Sequence, residues 1–261
     1  MHILSIDTPL LRAGDDLSAI LLQSATIQRG DIFVISSKAV ATVEGTTIEL
    51  ATVQVSNEAV QWAKKTGRSP ECMQAVLDET TRMHGTVLGS APHALLTDLR
   101  PEGFPQGRLL VPNAGLDESN VKKGWAVGWP VDPVKSAARL RKELIIQVSD
   151  HSPLTTVAVI LSDSCCTPGR LGVTAFALAV SGIDPFQSQI GRHDLFQKPL
   201  SVTQEAIADQ LATAANMVMG NADQSCPAAI VRDHGIPFSA YEGWVGGIES
   251  TLDLFGALIR P

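Results

Sequence analysis

The sequence predicts a chain that mixes helices and strands, with either an α/β or an α+β architecture. Short apolar runs typical of buried strands, such as IFVIS at 32–36, alternate with segments of helical periodicity. Of the 261 residues, 44% are hydrophobic and 18% are charged, which is the composition of a globular protein. A chain of this length buries roughly three quarters of its unfolded surface, so its stability requires neither disulfides nor a structural metal.

Capping and helix-stop residues mark the helices of the first third of the chain. Asp15–Asp16 precede the apolar-rich stretch 17–21 and predict a helix start. A second helix is predicted at 56–65, with Ser56 as its cap and Gly67 as its stop. Residues 69–71 (Ser-Pro-Glu) open a third helix, because proline favours the first helical position. The residues predicted on its apolar face are Met73, Val76 and Leu77.

The alternation of strand and helix patterns continues to residue 232. The predicted elements are a loop or hairpin tip at 99–107, a strand at 108–112, a helix opening at Asp132–Pro133, a strand at 155–162, a helix from about Thr203 to Met219 that ends at Gly220, and a strand at 227–232. The strand at 155–162 is apolar and β-branched, as buried strands are, and it ends on Asp163. The buried stripe predicted for the last helix is Ile207, Leu211, Ala214, Ala215 and Val218.

The chain shows no sign of a division into separate domains. It contains no internal repeat, no low-complexity tract and no Pro/Ser-rich linker. We therefore expect one structural unit over residues 1–261, and two lobes without a clear linker are the alternative.

Charge and hydropathy exclude several function classes. Twenty Lys and Arg against 27 Asp and Glu give a net charge of −7, which argues against general nucleic-acid binding but allows a local pocket for an anionic metabolite. No apolar run reaches the ~20 residues that span a bilayer, and the N-terminus lacks a signal-peptide pattern. The four cysteines include no CxxC pair. We expect a reduced, cytoplasmic protein with no nucleic-acid or membrane partner.

Three polar segments at the ends of predicted elements are candidate sites, since loops held by rigid strands concentrate function. Residues 113–120 (NAGLDESN) offer oxygen ligands that suit Mg²⁺ or Mn²⁺, and a solvated turn is the alternative. In residues 162–170 (SDSCCTPGR) the Asp-Ser pair could hold a metal and Arg170 could meet a phosphate, whereas capping is the structural alternative. The backbone of residues 219–226 (MGNADQSC) could wrap a nucleotide, or the segment could simply end a helix.

The adjacent thiols of Cys165 and Cys166 leave a catalytic hypothesis open. Adjacent cysteines bind one metal awkwardly, and a nucleophilic cysteine needs a paired base, for which His193 or His151 are the candidates. The alternative is that the cysteines are small buried hydrophobes and the histidines are structural.

At the same three segments the sequence resembles one family, the coenzyme F420-0:L-glutamate ligases (γ-glutamyl ligases), over Thr8 to about Arg232. The most specific match is NAGLDESNV at 113–121, close to the family signature Asn-Ala-Gly-Ile-Asp-x-Ser-Asn-Val. The other matches, in chain order, are PLL at 9–11 with GDDL at 14–17, IFVISSKAVATVEG at 32–45, VAVILSDS at 157–164, RLGVTAFALAVSGIDP at 170–185, GRHDLFQKPL at 191–200 and ANMVMG at 215–220.

The resemblance implies a fold and a reaction. The fold is α+β, with mixed sheets and helices, and forms an intertwined homodimer. The reaction is that of an acid–amino-acid ligase that uses GTP and Mn²⁺ or Mg²⁺, with two metal sites possible. Its product is an amide between the carboxylate of F420-0 and the amine of L-glutamate, made through an acyl phosphate.

Carried over position by position, the resemblance also implies roles for individual residues. Asp117 and Asp163 would hold one metal, and Ser164 and Asn221 a second. Asp117, Asp163 and Arg170 would be catalytic. The implied nucleotide-binding residues are Thr8, Pro9, Leu10, Leu11, Ser37, Lys38, Thr42, Asn120, Met219, Gly220, Asn221, Ala222, Asp223, Gln224, Ser225 and Cys226.

The sequence departs from the family pattern at several of these positions. Thr42 stands where the family has a lysine, and residues 165–169 (CCTPG) replace its usual sequence before Arg170. Gln189–Ile190 replace a charged pair, and Asn221 replaces a longer Gln or Glu. Each lost charge-assisted phosphate contact is worth about 1.5–3 kcal/mol, so these departures predict weaker nucleotide binding.

Several hypotheses therefore stand beside one another. The leading one is a GTP-dependent glutamate ligase for F420-0, and a pterin or folate-like acceptor is its variant. A diverged paralogue that binds a nucleotide or metabolite without catalysis is the alternative, favoured if neither Arg12 nor Lys38 replaces the lost cation in space. A third hypothesis is a thiol cluster of Cys165, Cys166 and Cys226, because the resemblance brings their two loops to one site.

Overall fold

The computed structural model describes residues 1–148 and 156–256, and the elements follow the predicted alternation of strands and helices. In chain order they are β1 (His2–Ile6), α1 (Leu17–Ser24), β2 (Ile32–Ser36), α2 (Ser37–Val43), β3 (Ile48–Glu49), α3 (Asn57–Thr66), α4 (Pro70–Arg82), β4 (Thr86–Ala91), β5 (Ala94–Leu99), β6 (Leu109–Pro112), β7 (Trp125–Ala126), α5 (Pro133–Val148), β8 (Ala158–Cys166), β9 (Val173–Ile183), β10 (Gln187–Ser188), β11 (Gln204–Glu205), α6 (Ile207–Met219), β12 (Ala228–Arg232) and β13 (Phe238–Trp244). Single 3₁₀ turns lie at Leu50–Thr52 and Asn113–Gly115.

The largest sheet has six strands in the order β1-β12-β2-β8-β9-β13. Strands β2 and β8 run parallel, whereas the other neighbouring pairs in this sheet run antiparallel. Two further pairs, β10–β11 and β3–β7, and the three-stranded sheet β4-β5-β6 lie apart from it. The prediction of mixed sheets with helices is therefore confirmed.

The central strands of the large sheet are apolar throughout because both of their faces are covered. In β2, Ile32 and Val34 pack on one face with Leu211 and Ala215 of α6. Phe33 and Ile35 pack on the opposite face, where α1 and α5 contribute residues such as Leu140. The side chains of successive strand residues point to opposite faces, so a strand between two helical layers has no polar face.

A separate core forms where α3 and α4 pack on the three-stranded sheet. Its fully buried members include Met73, Val76, Leu95 and Leu99. This core fixes the start of the 113–120 segment, because the Asn113 side chain accepts a 2.9 Å hydrogen bond from the Leu95 backbone. Strand β6 thus leads directly into the 113–120 segment, whose first residue is hydrogen-bonded to β5.

The predicted caps and stops are confirmed. The side chains of Asp16, Ser56 and Ser69 each accept a hydrogen bond from the backbone N–H three residues later. Gly67 ends α3 in the left-handed region, at φ 75°. The predicted hairpin tip at 99–107 joins β5 to β6, which pair antiparallel from Leu99 and Leu109 onward.

Two element predictions need correction. The strand predicted at 155–162 begins at Ala158 and continues to Cys166, because β9 pairs with it beyond the point where β2 ends. Asp163 therefore lies within the strand and not at its end. Thr155, the predicted first residue, and His151 lie outside the described residues.

The second correction concerns the last helix, which begins at Ile207 and not at Thr203, because Gln204–Glu205 pair with β10. The face of α6 that packs on the sheet is rotated about the helix axis from the predicted apolar stripe. Leu211 and Ala215 are buried as predicted, Ile207 and Ala214 are half-buried, and Val218 is exposed. The residues buried besides Leu211 and Ala215 are Ala208, Ala212 and Met219.

Asp209 of α6 is hydrogen-bonded to the large sheet, and its burial makes the free energy of unfolding depend on pH. A bulge in the β8–β9 pairing falls beside Ala177, and the Asp209 carboxylate accepts the Ala177 N–H at 2.8 Å. Burial raises the pKa of Asp209 above its ordinary value, and the hydrogen bond from Ala177 only partly offsets this. The folded state thus binds a proton more readily than the unfolded state, so stability falls as pH rises from the unfolded pKa through the folded one.

We expect Asp209→Asn to be more stable than the wild type at pH 7, because the carboxamide keeps an acceptor and removes the buried charge. The difference should shrink as pH falls towards 4, which thermal melts across this range would measure. As a control, Asp209→Leu leaves the Ala177 N–H without an acceptor and should cost about 1–3 kcal/mol. An Asn variant less stable than the wild type at pH 7 would contradict this account.

Among the described residues, no helix combines the length and the apolar character that a membrane crossing requires.

Candidate active site

The three predicted segments meet at one edge of the large sheet, and the topology explains why. Because β2 and β8 are parallel, their carboxyl ends share an edge. Strand β12 is antiparallel to β2, and β1 to β12, so β12 begins and β1 ends at that same edge. Backbone hydrogen bonds from Thr8 to Ser225 (2.9 Å) and from Ser36 to Pro227 (2.8 Å) join the connecting loops there.

A cavity of about 270 Å³ opens at this edge. Most of the predicted site residues line it. They are Thr8, Pro9, Leu10, Leu11, Lys38, Thr42, Asp117, Asn120, Asp163, Ser164, Met219, Gly220, Asn221, Ala222, Asp223, Gln224, Ser225 and Cys226. The segments that the resemblance assigns to nucleotide and metal therefore surround a single space.

Two predicted residues do not line the cavity. Arg170 is exposed at the turn between β8 and β9. Ser37 is fully buried behind the cavity wall, and its hydroxyl has no hydrogen-bond partner among the described residues. The structure thus brings Ser36 and Lys38, the neighbours of Ser37, to the cavity instead.

Asp163 is the centre of a hydrogen-bond network at the cavity wall. Its Oδ2 accepts the Lys38 ammonium at 2.7 Å and the Trp129 indole N–H at 2.6 Å. Its Oδ1 accepts the backbone N–H of Ser164 at 2.9 Å. Lys38 reaches Asp163 because α2 begins directly after β2, whose last residue, Ser36, pairs with Ser162 in β8.

The 113–120 segment is attached to this network by Lys38 and Trp129. The Lys38 ammonium also donates to the carbonyl of Gly115. Gly115 has a φ of 73°, and a Cβ built there would overlap the Trp129 indole, so the close approach of the indole requires glycine. Lys38 and Trp129 therefore hold one segment and one strand in register at the cavity.

Asp117 is held ready as an anion. Its Oδ1 accepts the N–H groups of Glu118 (2.7 Å) and Ser119 (3.1 Å), and its Oδ2 accepts the Ser119 hydroxyl. Burial raises the pKa of Asp117, but the Ser119 and Glu118 hydrogen bonds and the Lys38 charge outweigh it, so the net pKa is lowered. Reciprocal backbone hydrogen bonds with Val127 fix the position of Asp117.

The charges around the cavity are unbalanced. Lys38 is the one Lys or Arg among the described lining residues, against the carboxylates of Asp117, Asp163 and Asp223. Arg12, which the sequence offered as a replacement for the lost lysine, does not line the cavity. Thr42 does, and its hydroxyl donates to the Lys38 carbonyl at 2.8 Å, within its own helix. An anion that enters therefore meets a lining that is acidic on balance.

The donor set fits a hard divalent cation. A carboxylate offers about four acceptor positions, and the hydrogen bonds of Asp117 and Asp163 use three on each, which leaves one free. Carboxylate, hydroxyl and carboxamide oxygens are ligands that Mg²⁺ and Mn²⁺ accept. No group of three or more His, Cys, Asp or Glu side chains suited to a metal occurs in the described part of the chain, so a cation bound by Asp117 and Asp163 would need further ligands such as Ser164, Asn221 or phosphate oxygens.

The structure bears on both hypotheses about the cysteines, the catalytic thiol and the thiol cluster. Cys165 packs against the core that α3 and α4 form with the three-stranded sheet, and its pKa is raised to about 12 by burial, by Cys166 and by Asp163, which disfavours the nucleophilic thiolate. Cys226 is buried in the cavity lining, and its thiol donates to the Ala228 carbonyl. Because the described residues hold no such metal group, the thiol-cluster prediction is wrong as a metal site. His193 pairs with Pro199 and does not line the cavity.

Trp129, Gly115 and Ser119 contribute to the site, although the sequence assigns none of them an individual role. Trp129 lies 34 residues before Asp163, and no local pattern links them. A signal existed for the other two, since both lie within the segment 113–120 that was singled out for its oxygen ligands.

Comparison with known proteins shows which family the chain resembles. A family model described as F420-0:Gamma-glutamyl ligase matches residues 5–233. Three curated relatives are named Coenzyme F420:L-glutamate ligase. That of Methanocaldococcus jannaschii is 34% identical over 244 residues, covering 93% of this chain and 92% of the relative. That of Methanopyrus kandleri is 33% identical over 233 residues (89% and 86%), and that of Methanosarcina acetivorans 36% over 224 residues (86% and 82%).

Proposed function

Because the chain belongs to the F420-0:gamma-glutamyl ligase family, we propose that it joins L-glutamate to the carboxylate of F420-0, with GTP as co-substrate and Mn²⁺ or Mg²⁺ as cofactor. The observation that carries the proposal is the single cavity where Asp117, Asn120, Lys38 and Asp163 meet the 219–226 loop. They come from four separate parts of the chain, since Asp117 and Asn120 share the 113–120 segment, and together they offer metal ligands and a phosphate contact in one space.

The proposed chemistry has two steps. A carboxylate oxygen of F420-0 attacks the γ-phosphorus of GTP, which forms an acyl phosphate and releases GDP. The amine of glutamate then attacks the acyl carbon, and phosphate leaves as the amide forms and the amine loses a proton. Both steps gather negative charge, so positioning and electrostatic stabilisation dominate.

The chain's own residues would divide this work. Asp117 and Asp163 would hold one divalent cation, and Ser164 and Asn221 a second, supplying positive charge against the phosphate oxygens when bound. Asn120 and the 219–226 loop would orient the nucleotide. The acidic balance of the lining supports the metal requirement, because a triphosphate cannot be neutralised there by Lys38 alone.

We also propose that the protein acts in the cytoplasm as a homodimer. The support for association is a stretch of exposed apolar side chains in the 186–202 connection, where Leu195 is 96% and Phe196 is 91% exposed. Exposed apolar groups this close together favour an interface with another surface.

A second candidate function is a non-catalytic nucleotide- or metabolite-binding paralogue. The observation that favours it is the absence of a substitute for the lysine lost at Thr42, since Lys38 is already paired with Asp163 in the described structure. A pterin or folate-like acceptor is a narrower alternative within the ligase class.

The deciding experiment incubates the purified protein with GTP, L-glutamate, Mn²⁺ and F420-0 and analyses the cofactor by mass spectrometry. We expect one or more added glutamyl residues and stoichiometric phosphate, both dependent on GTP and on the metal. Omission of each component in turn is the control. Thermal stabilisation by GTP without product would favour the paralogue, unless a pterin or folate acid is glutamylated instead.

A further inference from the structure

We propose that Lys38 occupies the place of a divalent cation at Asp163, and that metal binding exchanges it from that carboxylate to the phosphate of the bound nucleotide. The inference rests on the metal dependence proposed above. Its first support is an ion pair of 2.7 Å between two shielded groups, whose side chains are 19% and 12% exposed. No metal is needed to satisfy Asp163 in this state, because Lys38 neutralises it.

The second support is the crowding of Asp163. Its Oδ2 receives two donors and its Oδ1 one, so a single acceptor position stays open. A divalent ion at this carboxylate would lie next to the Lys38 ammonium, and the poor solvent access of the pair strengthens their repulsion. One of the two cations must therefore withdraw.

Lys38 is the donor able to leave, and its departure gives up its hydrogen bond to the Gly115 carbonyl as well. Its ammonium sits on a flexible four-carbon stem in the first turn of α2, and it lines the cavity. The indole of Trp129, by contrast, is fixed by its packing against Gly115 and Phe176. Exchange would thus release the ammonium and retain the indole hydrogen bond to Asp163.

The released ammonium has one evident destination. Lys38 is the one Lys or Arg that lines the described cavity, and the proposed nucleotide enters the same space. Metal at Asp163 would therefore make a phosphate-binding cation available. By linkage, nucleotide that binds Lys38 would in turn favour metal at Asp163.

The test compares Lys38→Met with Lys38→Arg and the wild type, without F420-0 or glutamate. Binding of Mn²⁺ alone is measured by electron paramagnetic resonance of the free ion, and binding of GTP in saturating Mn²⁺ by calorimetry. We expect Lys38→Met to bind Mn²⁺ about tenfold more tightly than the wild type and GTP about tenfold more weakly. Lys38→Arg keeps the competing charge and should bind Mn²⁺ as the wild type does.

Opposite shifts of the two affinities are the signature of exchange. A lysine that only binds phosphate would weaken GTP binding and leave Mn²⁺ affinity unchanged, which would overturn the exchange and leave the ligase proposal standing. Wild-type protein that binds no Mn²⁺ would overturn both the exchange and the metal dependence. If Lys38→Met unfolds, Lys38→Gln replaces it, and the gain in melting temperature on adding Mn²⁺ should then exceed that of the wild type.

Discussion

Asp163→Asn is expected to lower the turnover number of glutamate ligation by about a thousandfold or more, with the fold intact. The carboxamide has nearly the same shape, so it can keep one acceptor for Lys38 or Trp129. It removes the charge for which the proposed metal and the Lys38 ammonium compete. Turnover, Michaelis constants for GTP and the Mn²⁺ dependence are the quantities to measure.

A matched control separates chemistry from stability. Asp98 is a similarly shielded carboxylate, 10% exposed and paired with Arg108 at 2.8 Å, but it does not line the cavity. Asp98→Asn should therefore lower the melting temperature without a comparable loss of turnover. Equal losses of activity in the two variants would mean that Asp163 acts through stability, and the assignment of the active site to this sheet edge would fail.

Local patterns predicted much of the fold because each reports on a few neighbouring residues. Ser56 and Ser69 as caps, Gly67 as a stop and IFVIS as a buried strand require only helix geometry and burial to be recognised. What the patterns did not contain is the partner of each element. The extension of β8 beyond Ser162 depends on β9, and the buried face of α6 depends on the sheet below it.

Individual residues of the candidate site could likewise be predicted from local patterns, whereas the contacts between distant segments could not. Asp117 and Asp163 could be singled out because each stands in a polar segment beside an apolar run. Their convergence with 219–226 follows from one parallel and two antiparallel pairings, which no single segment encodes. Trp129 escaped notice because its indole serves Asp163 through tertiary packing alone.

The departures from the family pattern lie unevenly around the cavity. Residues 165–169 and Gln189–Ile190 do not line the cavity, so these substitutions leave the residues of the cavity lining unchanged. Thr42 and Asn221 line it directly. Of these two, Thr42 removes a cationic group where a phosphate would be held, which makes the availability of Lys38 more consequential for this chain.

Arg232→Met is expected to lower the free energy of unfolding by about 3–5 kcal/mol, the largest stability effect we predict. Arg232 at the end of β12 donates through Nε and Nη2 to the two carboxylate oxygens of Asp31, both at 2.7 Å. The Asp31 side chain is fully buried just before β2. Without the guanidinium, the buried carboxylate keeps the hydrogen bond from the Gln28 N–H to its Oδ2, at 2.7 Å, but no compensating charge. Urea unfolding at neutral pH would measure the loss.

The double variant Asp31→Asn with Arg232→Met identifies the cause. If the penalty of Arg232→Met comes from an uncompensated buried charge, removal of that charge should restore much of the lost stability, because the uncharged pair needs no counter-ion. Additive losses would instead assign the effect to packing of the arginine stem. This pair bridges β12 and β2 at the end opposite the cavity, so it fixes how the strands that deliver Lys38 and the 219–226 loop are aligned. Lost register there should weaken GTP binding before the protein unfolds, which calorimetry on the single variant would detect.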